Sequence, residues 1–96
     1  MGAHRSRALA RAQLAQIDAR HGKLEEAAKI YSELAEEKAA PYPRDWALFY
    51  LADVLGKQGK KPEATAAYQK LTTEFPNSSL TAEVTRIQGG KKATGP

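Results

Sequence analysis

Apolar residues recur along this chain at intervals of three and four, the spacing of one face of an α-helix. The clearest stripe lies in residues 24–38 and consists of Leu24, Ala27, Ala28, Tyr31, Leu34 and Ala35. A second stripe lies in residues 62–75 and consists of Ala64, Ala67, Tyr68, Leu71 and Phe75. Charged residues fill the opposite face of the first segment. Both segments are therefore predicted to be helices with one buried face and one solvated face.

Three further segments are predicted to be helical. Residues 6–20 carry Ala10, Leu14 and Ile17 on one side and alanines on another, with Ser6 as a plausible cap. Residues 44–58 are apolar nearly all round, so that helix must be covered on more than one side. Residues 78–88 form the shortest segment, which Asn77 or Ser78 can cap. Glycine and proline separate the five segments at regular places.

The second and fourth segments repeat each other. Residues 22–34 align without gaps on residues 59–71, at an offset of 37 residues. Gly22 and Gly59 match and are predicted to end the first helix of each pair in a left-handed conformation. Ala27 and Ala64 also match, at the place where two helices approach closely. The sequence thus encodes the same helical hairpin twice, which is typical of a helical solenoid.

The spacing resembles the tetratricopeptide repeat, whose pattern is W-x2-L-G-x2-Y, then A-x3-F, then P. The second unit reads Leu48-x2-Leu51-Ala52-x2-Leu55, then Ala64-x3-Tyr68, then Pro76. The first unit reads Arg11-x2-Leu14-Ala15-x2-Asp18, then Ala27-x3-Tyr31. The resemblance implies an all-α fold, a right-handed α-α superhelix of two helical hairpins plus a C-terminal capping helix.

The first unit departs from the pattern. Arg11 and Asp18 replace two expected apolar residues, and the linker around residues 41–43 is longer than the repeat expects. The first helix is therefore expected to be a cap or to be displaced from its usual docking site. We expect residues 1–7 to be a disordered or tag-derived start. Residues 8–88 would be the domain, with repeats at about 8–41 and 45–78 and the capping helix at about 78–88, and residues 89–96 a flexible tail.

A narrower resemblance rests on the phrase Phe75-Pro76-Asn77-Ser78 and the residues around it. It is similar to repeats of bacterial envelope proteins of the ancillary translocon-subunit, cell-division-coordinator and outer-membrane assembly lipoprotein types. That resemblance implies a bacterial cell-envelope location facing the periplasm; without it, a cytoplasmic location is expected. The absence of cysteine leaves the compartment open. No stretch is long and apolar enough for membrane insertion.

The net charge of +4 suggests nucleic-acid binding, but the distribution of the charges along the chain does not favour it. Four of the fifteen basic residues, namely Arg5, Arg7, Lys91 and Lys92, lie outside residues 8–88, which leaves eleven basic and eleven acidic residues in the body. Binding of nucleic acid through the tails therefore remains an alternative function rather than the leading one.

No pattern in the sequence predicts an enzyme. His4 and His21 lack the spacing of a metal-ligand pair, so no metal and no cofactor are expected. The glycines at 56 and 59 do not have the spacing of a phosphate-binding loop. Adjacent glutamates such as Glu25 and Glu26 point apart on a helix and cannot share a proton. The chain could also be a non-catalytic subunit of a larger complex.

The resemblance implies a protein–protein interaction module that acts as a scaffold or adaptor and binds a peptide or partner protein on the concave helix surface. The exposed residues of that surface would be Gln13, Gln16, Arg20, Phe49, Tyr50, Asp53 and Lys57. An alternative is that Phe49 and Tyr50 simply pack on the fifth helix or on the first. Two and a half repeats are fewer than the three that a solenoid needs. We therefore also expect a homo-oligomer, formed by stacking ends or by exchanging a helix across residues 41–43.

Overall fold

The computed structural model describes the backbone of residues 2–36 and 42–94 and the side chains of residues 7–36 and 42–88. Within these ranges all the regular secondary structure is α-helical, as predicted, and turns connect the helices. Its five helices are α1 (Gly2–Arg20), α2 (Leu24–Glu36), α3 (Arg44–Lys57), α4 (Lys61–Glu74) and α5 (Ser79–Thr94). The side chains of His4, Ser6, Lys91 and Lys92 lie outside the described residues, as does the backbone of residues 37–41.

Two helices are longer than the sequence pattern predicts. α1 begins at Gly2 rather than near residue 6, and α5 ends at Thr94 rather than near residue 88. The residues added to the start of α1 are Gly2, Ala3, His4 and Arg5, and they include no proline that would stop a helix. The predicted division of the chain into start, domain and tail stays a prediction.

The two helix-ending glycines adopt the predicted left-handed conformation. Gly22 has a φ of +81° and Gly59 a φ of +83°. The residue after each glycine closes the turn in the same way: the amide of Lys23 donates to the carbonyl of Asp18 at 2.7 Å, and that of Lys60 to Leu55 at 2.9 Å. Each of these hydrogen bonds spans five residues, the pattern of a Schellman C-cap. The 37-residue repeat is therefore present in the backbone as well as in the sequence.

Each helix packs against the next one along the chain, and α5 packs on both α3 and α4. α3 lies between α2 and α4, which explains why its sequence is apolar nearly all round. The core between the helices contains Leu34 and Leu71, both fully buried and equivalent in the two repeats. Ala27 and Ala64 are also buried, as their place in the hairpin seams requires.

α1 docks through its alanine side, a choice between two apolar sides that the sequence pattern left open. Its alanines Ala8, Ala12 and Ala15 are buried against the rest of the protein. Leu14 and Ile17, which were grouped with Ala10 as its larger apolar side, remain 50% and 48% exposed. Small side chains allow the backbones of α1 and α2 to approach closely, so the alanine face is the one that docks. Arg11, unusual for the repeat, forms an ion pair with Glu33 on α2.

Arg44 joins three parts of the structure at the first residue of α3. Its Nε donates a hydrogen bond to the carbonyl of Ala35 near the end of α2, at 2.5 Å. Its Nη2 forms an ion pair with Oε1 of Glu74 at the end of α4, at 3.0 Å. The guanidinium also lies over the ring of Phe75, 5.5 Å from its centroid. This side chain therefore sets the position of α3 between its two neighbours.

Ser78 caps α5, as predicted. Its hydroxyl oxygen accepts a hydrogen bond from the amide of Leu80 at 3.1 Å. The same hydroxyl donates to the Asp45 carboxylate at 2.7 Å, which links the start of α5 to the start of α3. None of the helices in the described part of the chain is long and apolar enough to cross a membrane.

Candidate functional site

The candidate site is a groove of about 220 Å³ between α1 and α3, with α2 as its floor. Its lining consists of Gln16, Ala19, Arg20, Tyr31, Tyr50, Asp53, Val54 and Lys57. The groove exists because α1 and α3 both pack on α2 and leave a gap between each other. Polar side chains line its rim, and aromatic and aliphatic groups line its floor.

Five of the seven predicted binding residues line this groove. They are Gln16 and Arg20 from α1, and Tyr50, Asp53 and Lys57 from α3. Gln13 is exposed on α1 but does not line the groove. The structure thus brings together the residues predicted on the facing sides of two helices that are separated by more than twenty residues of sequence.

Phe49 packs inside the domain rather than lining the groove. Its ring meets Tyr50 edge-on at 5.7 Å and Tyr68 of α4 at 6.0 Å. The packing alternative considered for Phe49 therefore describes its contacts better, although its neighbour is α4 rather than α1 or α5. Tyr50 does both: it lines the groove and packs against other rings.

Tyr31 also lines the groove, although the sequence pattern assigned it only to the buried stripe of α2. Its ring stacks on that of Tyr50, with centroids 5.6 Å apart and planes inclined by 29°. Tyr31 is only 4% exposed. The hydroxyl of a buried tyrosine needs a hydrogen-bond partner or water. A tyrosine in a buried stripe therefore indicates that a polar surface, such as a groove, lies next to it.

A second groove, of about 350 Å³, lies on the other side of Asp53 and Lys57. α3, α4 and α5 form its walls, with Tyr68 from α4 and Ile87 from α5 among the lining residues. Asp53 and Lys57 therefore stand on the ridge between the two grooves. The docking of α5 across α3 and α4 creates this second groove.

The ridge carries an ion pair between Lys57 Nζ and the Asp53 carboxylate, at 3.3 Å. Both side chains are about half exposed, so water screens the attraction and the pair adds little to stability. Both groups thus remain available to an incoming charged partner. Arg20 and Lys61, at the outer edges of the two grooves, take part in none of the ion pairs among the described residues.

The hydroxyls of Tyr31 and Tyr68 are held in their neutral form by raised pKa values. Burial raises the pKa of Tyr31, with smaller contributions from Tyr50 and from the negative charge of Asp53. Burial and then Asp53 likewise raise the pKa of Tyr68. A phenol that stays protonated can both donate and accept a hydrogen bond. These groups suit recognition of polar partner groups rather than acid–base chemistry near neutral pH.

The aromatic residues continue beyond the groove toward the start of α3. Tyr42 has its pKa raised to about 12, chiefly by burial, with added effects of Tyr31, Tyr50 and Asp45. Trp46 meets Tyr50 edge-on at 6.1 Å and is still 46% exposed. The described side chains include no group of three histidine, cysteine or acidic residues that could hold a metal ion.

Residues 46–78 match the family model of the tetratricopeptide repeat. The match covers most of α3, all of α4 and the turn that leads to α5, which is 33 of the 96 residues. It supports the tetratricopeptide repeat family for this chain, as the residue pattern predicted. Proteins of this family typically act as non-catalytic modules of protein–protein interaction. Neither the curated proteins nor the solved structures contain a match to the chain.

Proposed function

We propose that this protein is a non-catalytic adaptor that binds a peptide segment of a partner protein in the groove between α1 and α3. The observation that carries the proposal is the convergence of Gln16, Arg20, Tyr50, Asp53 and Lys57 on one groove. These residues come from the first helix of each of the two hairpins. Ligands of the family usually lie on that surface.

The composition of the groove suits a peptide. Tyr50 offers an aromatic surface of the kind that dominates protein interfaces, and its stack on Tyr31 holds the ring in place before binding. A ring that is already fixed loses less conformational entropy when a ligand arrives. Around it, Gln16 can donate and accept hydrogen bonds, while Asp53 and Lys57 offer one charge of each sign.

The proposal is tested by affinity capture from a source lysate, followed by titration of the purified partner. The variant Arg20→Ala/Lys57→Ala removes two exposed groove cations and should weaken binding of that partner at least about tenfold. Both residues lie at the surface, so the fold should survive. A second variant, Asp53→Asn, keeps the shape of the side chain and removes its charge.

The matched control is Lys29→Ala/Arg86→Ala, which also removes two exposed cations. Lys29 lies on the outer face of α2, and Arg86 lies on α5 in an exposed pair with Glu83. Neither residue lines the groove between α1 and α3. Equal binding by the groove variant, the control and the wild type would show that the partner binds elsewhere.

We also propose that the protein self-associates. Two hairpins and a closing helix are fewer than the three repeats that make a solenoid self-sufficient. α1 also presents Leu9, Leu14 and Ile17 to solvent, each about half exposed. Sedimentation equilibrium at micromolar concentration should give a mass above that of one chain, 10.5 kDa. A monomer throughout that range would contradict self-association.

Three finer expectations are also proposals. Binding of random oligonucleotides through the basic ends would weaken as salt rises and would disappear when both ends are removed. If the chain is a non-catalytic subunit of a larger complex, enzymatic activity should be detected only when the captured partner is present. The bacterial envelope subtype rests on the phrase at residues 75–78 and the residues around it, and the family match at residues 46–78 does not support that subtype.

A further inference from the structure

We propose that the protein dimerises through the outer face of α1, which pairs antiparallel with α1 of a second copy. The inference rests on the self-association proposed above and names the surface that carries it. The outer face is defined by Leu9, Gln13, Leu14 and Ile17. It lies on the side of α1 opposite to the buried alanines Ala8, Ala12 and Ala15.

The burial pattern of α1 is the first observation. Leu9 is 52% exposed, Leu14 50% and Ile17 48%, and they are the three most exposed of the five exposed large hydrophobic residues in the described part of the chain. Ile17 is three residues from Leu14 and eight from Leu9, so it lies between the other two, and the three residues spread over about 140° of one side of the helix. A helix with alanines buried on one side and larger aliphatic residues on the other is built to be covered on both sides.

The charges beside the stripe identify the occupant as a second copy. Arg7 and Asp18 are eleven residues apart, which is about three helical turns, so they lie on the same flank and about 16 Å apart along the axis. Neither takes part in the ion pairs of the described residues. One flank of the stripe thus carries a positive charge at one end and a negative charge at the other.

An antiparallel pair of such helices is complementary to itself. A twofold axis brings each flank against the same flank of the other copy in the reverse direction. Arg7 then lies near Asp18 of the second copy, and the pairing occurs twice. Leu9 lies near Ile17 of the second copy, and Gln13 lies near the axis. A parallel pair would instead place the flank of Arg7 and Asp18 against the opposite flank of the second copy, so the two charges would not meet.

The contact is small. α1 has 19 residues and is about 28 Å long, so a pair of such helices buries an area at the low end of specific interfaces. We therefore expect a dimer that dissociates and re-forms at micromolar concentration. Gln13, predicted as a peptide-binding residue but absent from the lining of the groove, belongs to the dimer interface in this arrangement.

The first test replaces one stripe residue by a charge. Ile17→Lys should raise the dissociation constant of the dimer, measured by sedimentation equilibrium, at least about tenfold, because it places a charge in the apolar contact. The matched control is Ile87→Lys on α5, which alters an isoleucine of similar exposure (39%) and should leave the dimer unchanged. Circular dichroism establishes that both variants keep the helical content of the wild type.

The second test reverses the flanking charges. Arg7→Glu and Asp18→Arg should each weaken the dimer about fivefold, because each brings like charges together twice. The double variant Arg7→Glu/Asp18→Arg restores both ion pairs in the opposite sense and should return the dissociation constant to within about twofold of the wild type. Rescue of this kind requires an antiparallel pair.

The outcomes separate the proposals. A wild-type protein that stays monomeric overturns both self-association and this interface, and leaves a different protein as the cover of the stripe. A dimer that Ile17→Lys does not weaken overturns the interface alone, and helix exchange across residues 41–43 then becomes the explanation. A dimer that Ile17→Lys weakens but the double charge reversal does not rescue overturns the antiparallel arrangement.

Discussion

Tyr31 of α2 and Tyr50 of α3 stack with their ring centroids 5.6 Å apart, one ring buried in the hairpin seam and the other at the edge of the groove. The stack therefore connects the core of the first repeat to the surface of the second. Trp46 and Phe49 meet Tyr50 edge-on from the same helix. The side chain proposed to contact a partner is held in place by three other rings, so its orientation depends on the packing beneath it.

The left-handed glycines provide a test of the turn geometry. Gly22→Ala and Gly59→Ala should each lower the free energy of unfolding by about 1 kcal/mol, because a side chain disfavours positive φ. No atom lies within 4 Å of either added Cβ, so the backbone conformation alone is responsible. Urea denaturation followed by circular dichroism measures the change.

Gly56 supplies the control for this prediction. It lies inside α3, and an added Cβ would also meet nothing within 4 Å. Gly56→Ala should therefore raise the free energy of unfolding by about 0.5–1 kcal/mol, since alanine favours a helix interior. The same sign of change in all three variants would contradict the assigned turns.

Arg44 is expected to matter for stability more than an average surface cation. Arg44→Ala removes the hydrogen bond to Ala35, the ion pair with Glu74 and the contact with Phe75, and should cost about 2 kcal/mol of unfolding free energy. Arg86→Ala breaks an exposed pair and should cost less than about 0.5 kcal/mol. Equal midpoints of urea denaturation for the two variants would refute the role given to Arg44.

Alanine variants of Leu71 and Leu14 compare how much a buried and an exposed leucine contribute to the free energy of unfolding. Leu71→Ala empties a fully buried position and should cost about 2–5 kcal/mol, enough to unfold much of a small domain. Leu14→Ala should cost less than about 1 kcal/mol in the monomer, because half of that side chain is already in water. Thermal denaturation of dilute protein gives both values. A large loss for Leu14→Ala would mean that the outer face of α1 is covered within one chain.

The tyrosines make a prediction for alkaline pH. The folded protein should show a tyrosine that titrates near pH 12, Tyr42, and two others above the usual value of 10, Tyr31 and Tyr68. Because folding raises these pKa values, their contribution to stability is complete below pH 10 and is lost as the pH rises from 10 toward 12. Absorbance near 295 nm follows the ionisation.

The variant Asp53→Asn tests which tyrosine pKa values depend on the charge of Asp53. Its charge contributes to the raised pKa of Tyr31 and of Tyr68 but is not among the causes at Tyr42. The variant should thus lower two of the three tyrosine pKa values toward 10 and leave the highest in place. If the highest value moves and the other two stay, the placement of Asp53 beside the groove is wrong.

The periodicity of the sequence was enough to predict the repeat, because its determinants are local. Gly22 and Gly59 require the same turn, and Ala27 and Ala64 require the same close approach, wherever the hairpin occurs. The orientation of α1 could not be predicted in this way. Ala15 and Leu14 are both apolar, and only the distance of closest approach between two helices decides which one docks.

The candidate site was predictable to the extent that it follows from helix faces. Arg20 and Lys57 lie on the faces assigned to them, and the groove between α1 and α3 brings them together. Tyr31 was not predicted as a groove residue. A residue buried between two helices of a hairpin can also line a groove, but whether it does so depends on the distance between the neighbouring helices. The packing alternative for Phe49 gave α1 or α5 as its neighbour, but the contact is with Tyr68 of α4, which the face of α3 alone does not indicate.

Arg44 has a further consequence for the way this chain can change over time. One guanidinium ties the start of α3 to the ends of α2 and α4, so the spacing of the two hairpins does not depend on the number of residues between them. Insertions and deletions between residues 36 and 44 should be accepted as long as this arginine is kept.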